Sequence, residues 1–87
     1  GARTLLVTDV NDYRLEMARR IVPQATALNP TKDDVEGFVR DTTSGRGLDV
    51  VVELSGSGPG AVQAFNLLAK GGRVSLVQGI STHTFSA

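Results

Sequence analysis

The unbroken valines in Asp49-Val50-Val51-Val52-Glu53-Leu54 do most to limit what this chain can fold into. A strand that is apolar at successive positions has no face to leave in water, so it must be covered on both sides. Helices are the usual cover, and the segments on either side of this run carry apolar residues at helical spacing. Three other runs read as strands. Thr4-Leu5-Leu6-Val7-Thr8 is apolar and stops at Asp9. Ala25 to Asn29 is weaker and is closed by Pro30. Arg73 to Gln78 is the last.

The intervening segments predict three helices. Asn11 suits an N-cap and Asp12 the positive end of a helix. Leu15, Ala18, Ile21 and Val22 then recur on one face until Pro23. Thr31-Lys32-Asp33-Asp34 has the form of a capping box with Asp in place of Glu. Val35, Phe38, Val39 and Thr42 make the stripe of the second helix, with Ser44 to Gly47 as its exit. Gly58-Pro59 opens the third. Its apolar face is Ala61, Val62, Phe65, Leu68 and Ala69, with Lys70 in the last turn and Gly71-Gly72 as the stop. Ser81 to Ala87 reads as a loose polar tail. The order β-α-β-α-β-α-β gives one α/β domain over residues 1–87, with a parallel, Rossmann-like sheet.

Composition removes several classes of function. Nine basic and nine acidic side chains cancel, which leaves no basic footprint for nucleic acid and no charged patch for a membrane surface. There is no cysteine, hence no disulfide framework and no thiolate metal site. No apolar run approaches the roughly 20 residues of a bilayer span. The start of the chain does not read as a signal peptide, and the expectation is a cytoplasmic protein.

In open parallel sheets, ligands bind beyond the carboxyl ends of the strands. Asp9 ends an apolar strand beside a helix start. There a carboxylate can accept from both hydroxyls of an adenosine ribose, or can simply favour the helix N-terminus. Arg14 lies within reach of the same ribose or stands as a solvated surface charge. Gly56-Ser57-Gly58-Pro59-Gly60-Ala61 fits the form G-x-G-x-x-[G/A] of a dinucleotide phosphate loop. Two features count against that role. No acid ends the next strand, and Pro59 removes one of the amides that would cradle phosphate. Ser55 and Ser57 have no base partner visible in the sequence, and Glu53 has no assigned role. His83, the only histidine, reads as a free surface residue.

The stretches GARTLLVTDVNDYRLEMARR, ALNPTKDDVEGFVRDTTSGRGLDVVVELSGS and AFNLLAKGGRVSLVQGI resemble the zinc-dependent medium-chain dehydrogenase/reductase family. Within it they are most similar to the threonine, polyol and alcohol dehydrogenases. The resemblance implies a partial coenzyme-binding domain, running from the family's second strand to its fifth. The family's glycine loop and first strand would precede Gly1, so Gly56 to Ala61 would not be the pyrophosphate loop. By the same resemblance, Asp9, Val10 and Arg14 would contact the adenosine ribose of NAD. Leu54, Ser55 and Gly56 would lie near the nicotinamide ribose, with Gly79 and Ile80 alongside the nicotinamide. The zinc and the proton relay would lie in another domain, leaving no catalytic residue here. Two departures stand out. Val22-Pro23-Gln24-Ala25 replaces a Gly-Ala pair, and RVSLVQGI is one residue long, which reads as a bulge.

In the strand order 3-2-1-4-5-6 the family's first strand is central. Without it, the Thr4 and Asp49 strands can pair directly and give the order 2-1-3-4 in this chain's own numbering, or their edges can drive self-association. Three functions stay open on the sequence. One is the NAD-binding portion of a dehydrogenase, working with the remainder of that enzyme. The others are a stand-alone nucleotide-binding module and a structural fragment without a ligand.

Overall fold

The computed structural model describes residues 5–78 and 81–86. The elements run β1 (Leu5–Thr8), α1 (Asp12–Ile21), β2 (Thr26–Leu28), α2 (Val35–Thr43), β3 (Leu48–Glu53), α3 (Gly58–Asn66), β4 (Leu68–Gln78) and β5 (Ser81–Ser86). The architecture is α/β, and the sheet order is β2-β1-β3-β4-β5. The first four strands have the expected order 2-1-3-4. β1 pairs directly with β3 in parallel, Leu5 with Val50 through to Thr8 with Glu53. That pairing covers the two edges that could otherwise have driven association.

The apolar runs alternate between two cores. Leu6, Val51 and Val74 face Val35 and Val39 of α2 and Ala64 of α3. Val7 and Ala27 face Leu15 of α1, with Val52 and Leu54 at the margin. One face thus carries α1 and the other α2 and α3. Right-handed crossovers require this, because the chain moves one way along the sheet from β1 to β2 and the other way from β2 to β4. Val51 is buried on one face, and Val50 and Val52 are half-buried on the other, which explains the unbroken valine run.

The structure departs from the sequence reading at several points. Helix α3 ends at Asn66, and Leu68, Ala69 and Lys70 belong to β4. The buried Leu67 stops the helix: its carbonyl accepts from Leu48 N at 2.8 Å, which opens strand pairing. Gly72 permits the close approach, since a Cβ there would stand 2.6 Å from the Leu48 carbonyl oxygen. Ser81–Ser86 is an antiparallel strand on β4, not a loose tail, so the sheet is mixed. The register irregularity of β4 precedes Arg73, and pairing runs unbroken from Arg73 to Leu76, so the longer last strand holds no bulge over that stretch. Asp34, not Thr31, caps α2, accepting from Gly37 N at 3.0 Å. Thr43, one residue past Thr42, is the buried threonine, its hydroxyl donating to the Val39 carbonyl. Ile21 and Val62 are exposed at 74% and 62%, and Phe65 is also exposed, although the sequence reading placed all three on buried helix faces. No helix among the described residues is long and apolar enough to cross a membrane.

Candidate functional site

Asp9 follows β1 at the carboxyl end of the sheet and is 1% exposed. Its Oδ1 accepts from Asn11 N at 3.1 Å and from Arg14 Nη2 at 3.0 Å, and its Oδ2 accepts from Arg14 Nε at 2.5 Å. Burial pushes the carboxyl up. The Arg14 hydrogen bond, the Asn11 amide, the Arg14 charge and the Val10 amide together outweigh burial, and the group titrates below its ordinary 3.8. The same pairing raises Arg14. Local sequence explains the geometry. Asn11 caps α1 by accepting from Arg14 N at 3.0 Å, which sets the first helical turn so that the guanidinium folds back onto Asp9. An ionised carboxylate offers about four acceptor positions. Three are used, two of them by the Arg14 side chain, which is 52% exposed.

Asn29 ties the loop after β2 to the loop after β1. It is buried, its Nδ2 donates to the Val10 carbonyl at 3.1 Å and to Asp12 Oδ1 at 3.0 Å, and its Oδ1 accepts from Thr31 N and Oγ1. Asp12 also pairs with Lys32, which lowers the Asp12 carboxyl and raises the lysine.

Glu53 ends β3 and is 2% exposed. Its Oε1 accepts from Ser55 N at 2.6 Å and its Oε2 from Ser55 Oγ at 3.0 Å. Ser55 Oγ is 3.1 Å from Ser57 Oγ, and Ser57 caps α3 by accepting from Gly60 N. The glycine string serves this arrangement. Gly56 takes a positive φ of 70°, and a Cβ on Gly60 would stand 2.8 Å from both Glu53 Oε2 and Ser57 Oγ. The amides of Gly60 and Ala61 are spent on Ser57, and Pro59 has none. With a buried acid behind it, the start of α3 is a poor cradle for pyrophosphate.

A cleft of about 290 Å³ opens at the carboxyl ends of β1 and β3, with Thr8, Val10, Pro30, Glu53, Ser55 and Ser57 among its walls. This is the point where the chain reverses direction along the sheet, the usual place for a ligand in such folds. Val10 and Ser55, from the expected set, line it. Asp9 lies beneath Arg14 beside it, and Leu54 packs inward against the α1 core. Gly56 is exposed on the loop, while Gly79 and Ile80 lie outside the described residues. A larger open depression of about 510 Å³, between the ends of α2 and α3, involves none of the expected residues. Asn29 and Glu53 are buried polar residues at the carboxyl ends of their strands whose structural roles the sequence reading did not assign. Their one signal was position, an Asn before Pro and an acid closing a valine run, each at a strand's carboxyl end.

Comparison with known proteins follows the same line. Residues 1–86 match the family model described as zinc-binding dehydrogenase. L-threonine 3-dehydrogenase from Deinococcus deserti is 40% identical over 78 residues, and that from Anaeromyxobacter sp. strain K is 40% identical over 77. Each alignment covers 88% of this chain and 22% of the relative, so the chain spans about a fifth of the length of these enzymes. Alcohol dehydrogenase TADH from Thermus sp. ATN1 shares the fold, with a TM-score of 0.64 at 22% identity over 86% of this chain and 28% of that one. The chain belongs to the zinc-binding dehydrogenase family.

Proposed function

We propose that this chain is part of the NAD-binding region of a cytoplasmic dehydrogenase that oxidises a secondary alcohol, with L-threonine the best-supported substrate and polyols or simple alcohols the others. The carrying observation is Asp9, a buried carboxylate at the end of β1 whose arginine partner is half-exposed. The donor set fits an adenosine ribose: with Arg14 turned outward, Asp9 has acceptor positions for both hydroxyls, and Arg14 stays close enough to contact the same sugar. Val10 would border the ribose from the cleft. Leu54, Ser55 and Gly56 would face the nicotinamide ribose, and Gly79 and Ile80 the nicotinamide. Bound NAD would supply the hydride acceptor, and the residues of this chain would hold and orient it. Zinc does not fit the donors here. The chain has no cysteine and one histidine, and among the described residues no three His, Cys, Asp or Glu side chains gather. The metal and the proton relay are therefore assigned to the remainder of the enzyme, which is the partner this reading requires.

Support for the threonine substrate is the name shared by the relatives at 40% identity. The competing reading is a self-sufficient nucleotide-binding module. Calorimetric titration of NAD into the 87-residue chain separates the two. The cleft of about 290 Å³ is at the lower end of small-molecule pockets, about 300–1,000 Å³, and the amides of the glycine string are engaged. The proposal expects no micromolar binding by the chain alone. Micromolar binding abolished by Asp9→Ala would favour the module.

A further inference from the structure

Beside the α3 N-terminus, on the side away from β1, lies a second cavity of about 190 Å³. Its walls include Glu53, Ser57, Ala61, Leu76, His83 and Phe85. The sheet register puts these residues together. Glu53 pairs with Leu76 and Leu76 with His83, so the three form one row across β3, β4 and β5 and share the face that carries α3. Phe85 stands two residues beyond His83 on the same face, paired with Val74 of that core. Helix α3 roofs the space with Ala61, a small residue that leaves it open.

The lining has an uneven chemistry. Leu76, Phe85 and Ala61 give it an apolar body. One buried carboxylate, Glu53, stands at its inner side. Glu53 accepts two hydrogen bonds, both from Ser55, and a carboxylate can accept about four. Among the described residues no lysine, arginine or histidine lies within ion-pair distance of it, although Arg14 attracts it from further away. Buried acids are normally paired. This one has unused acceptor positions on the wall of a largely apolar space.

We infer that this cavity binds a small primary amine with an apolar body, its ammonium on Glu53 and its ring or alkyl chain against Leu76 and Phe85. Size supports a single ring, since an apolar cavity of about 150 Å³ holds benzene. Charge excludes acids of the same shape, because a second carboxylate would meet Glu53 in a space with little water. His83 sits at the rim, where its imidazole closes the outer wall. The site shares the walls Glu53 and Ser57 with the cleft at β1, and its Gly56 is one of the proposed nicotinamide-ribose contacts.

The test is titration of the ¹⁵N-labelled 87-residue chain with benzylamine, benzyl alcohol and benzoate, followed by amide chemical shifts. Benzylamine is expected to shift Ser57, Ala61, Leu76, His83 and Phe85, and to bind about tenfold or more tighter than benzyl alcohol, with no saturable shifts from benzoate. Glu53→Gln keeps an acceptor for Ser55 N and removes the charge, and it should erase the preference for the amine. Ala61→Leu fills the roof without touching Glu53 and should abolish binding of both benzylamine and the alcohol, which keeps the proposal testable if Glu53→Gln does not fold. Absence of benzylamine binding, equal binding of benzoate, or binding unchanged by Ala61→Leu would overturn it.

Discussion

Two alanine substitutions two residues apart on α3 should differ in their effect on stability. At Gly58 the backbone φ is not positive and a Cβ would meet nothing within 4 Å beyond its chain neighbours. Replacing glycine there removes unfolded-state freedom, but the new Cβ of a helical residue before Pro59 meets the proline ring, so the two effects offset and stability should stay within about 0.5 kcal/mol. Gly60→Ala gains the same entropy but drives its methyl against Glu53 Oε2 and Ser57 Oγ, both at 2.8 Å, and the Glu53 carboxyl carbon at 3.0 Å. Neither oxygen can retreat freely, because Ser55 tethers Glu53 and Ser57 is the helix cap. Overpacking of this kind costs about 1–3 kcal/mol, so the net effect should be destabilisation of about 1–2 kcal/mol. The two variants should therefore differ by about 1–2 kcal/mol, or roughly 4–16 °C in Tm for a chain of this size. Urea denaturation followed by circular dichroism measures both. If Gly60→Ala is as stable as Gly58→Ala, the Glu53–Ser55–Ser57 network does not constrain the start of α3, and the account given for the glycine string is wrong.

The Asp9–Arg14 pair predicts an acid-dependent loss of stability. Because Asp9 titrates below its ordinary 3.8 in the folded chain, its contribution is complete above that value and disappears as pH falls through the folded one. The stability gap between the native chain and Asp9→Asn should shrink between pH 7 and pH 3, and a gap that holds or widens would contradict the pairing. Arg14→Ala strands a buried carboxylate, whereas Asp9→Asn frees a half-exposed guanidinium, so the arginine variant should lose more, about 1–3 kcal/mol at pH 7 by urea titration. Asn29→Ala should cost about 1–3 kcal/mol by releasing the loop after β1 from the loop after β2. Asn29→Asp should cost more in the same assay, since it places a second carboxylate against Asp12 Oδ1 and the Val10 carbonyl.

The central sheet was legible because its signal is local. Three successive valines demand cover on both faces whatever the rest of the chain does, and the direct pairing of β1 with β3 was one of two outcomes expected from the family resemblance with its first strand absent. The end of α3 was not legible. Leu68 and Ala69 continue a helical stripe, and only the Leu48 amide and the side-chain-free backbone of Gly72, distant in sequence, turn them into strand. The same holds for β5, whose polar Ser-Thr-His-Thr-Phe-Ser pattern becomes a strand only because β4 offers it an edge. At the candidate site, Asp9 and Arg14 were each legible as candidates from their places at a strand end and in the first turn of α1, but their ion pair was not, because it needs the Asn11 cap to fold the guanidinium back. Glu53 closes its hydrogen bonds locally, on Ser55, but the two cavities it lines depend on where β4, β5 and α3 pack.

The most direct test is a chimera in which this chain replaces its matching segment in the D. deserti L-threonine 3-dehydrogenase, assayed for NAD-dependent threonine oxidation with and without Asp9→Ala. Loss of two charge-assisted hydrogen bonds to the ribose should raise the KM for NAD about ten- to hundredfold while kcat changes little. An active chimera whose KM for NAD is the same with Asp9 or Ala at that position would contradict the assignment of this chain's carboxylate to the cofactor.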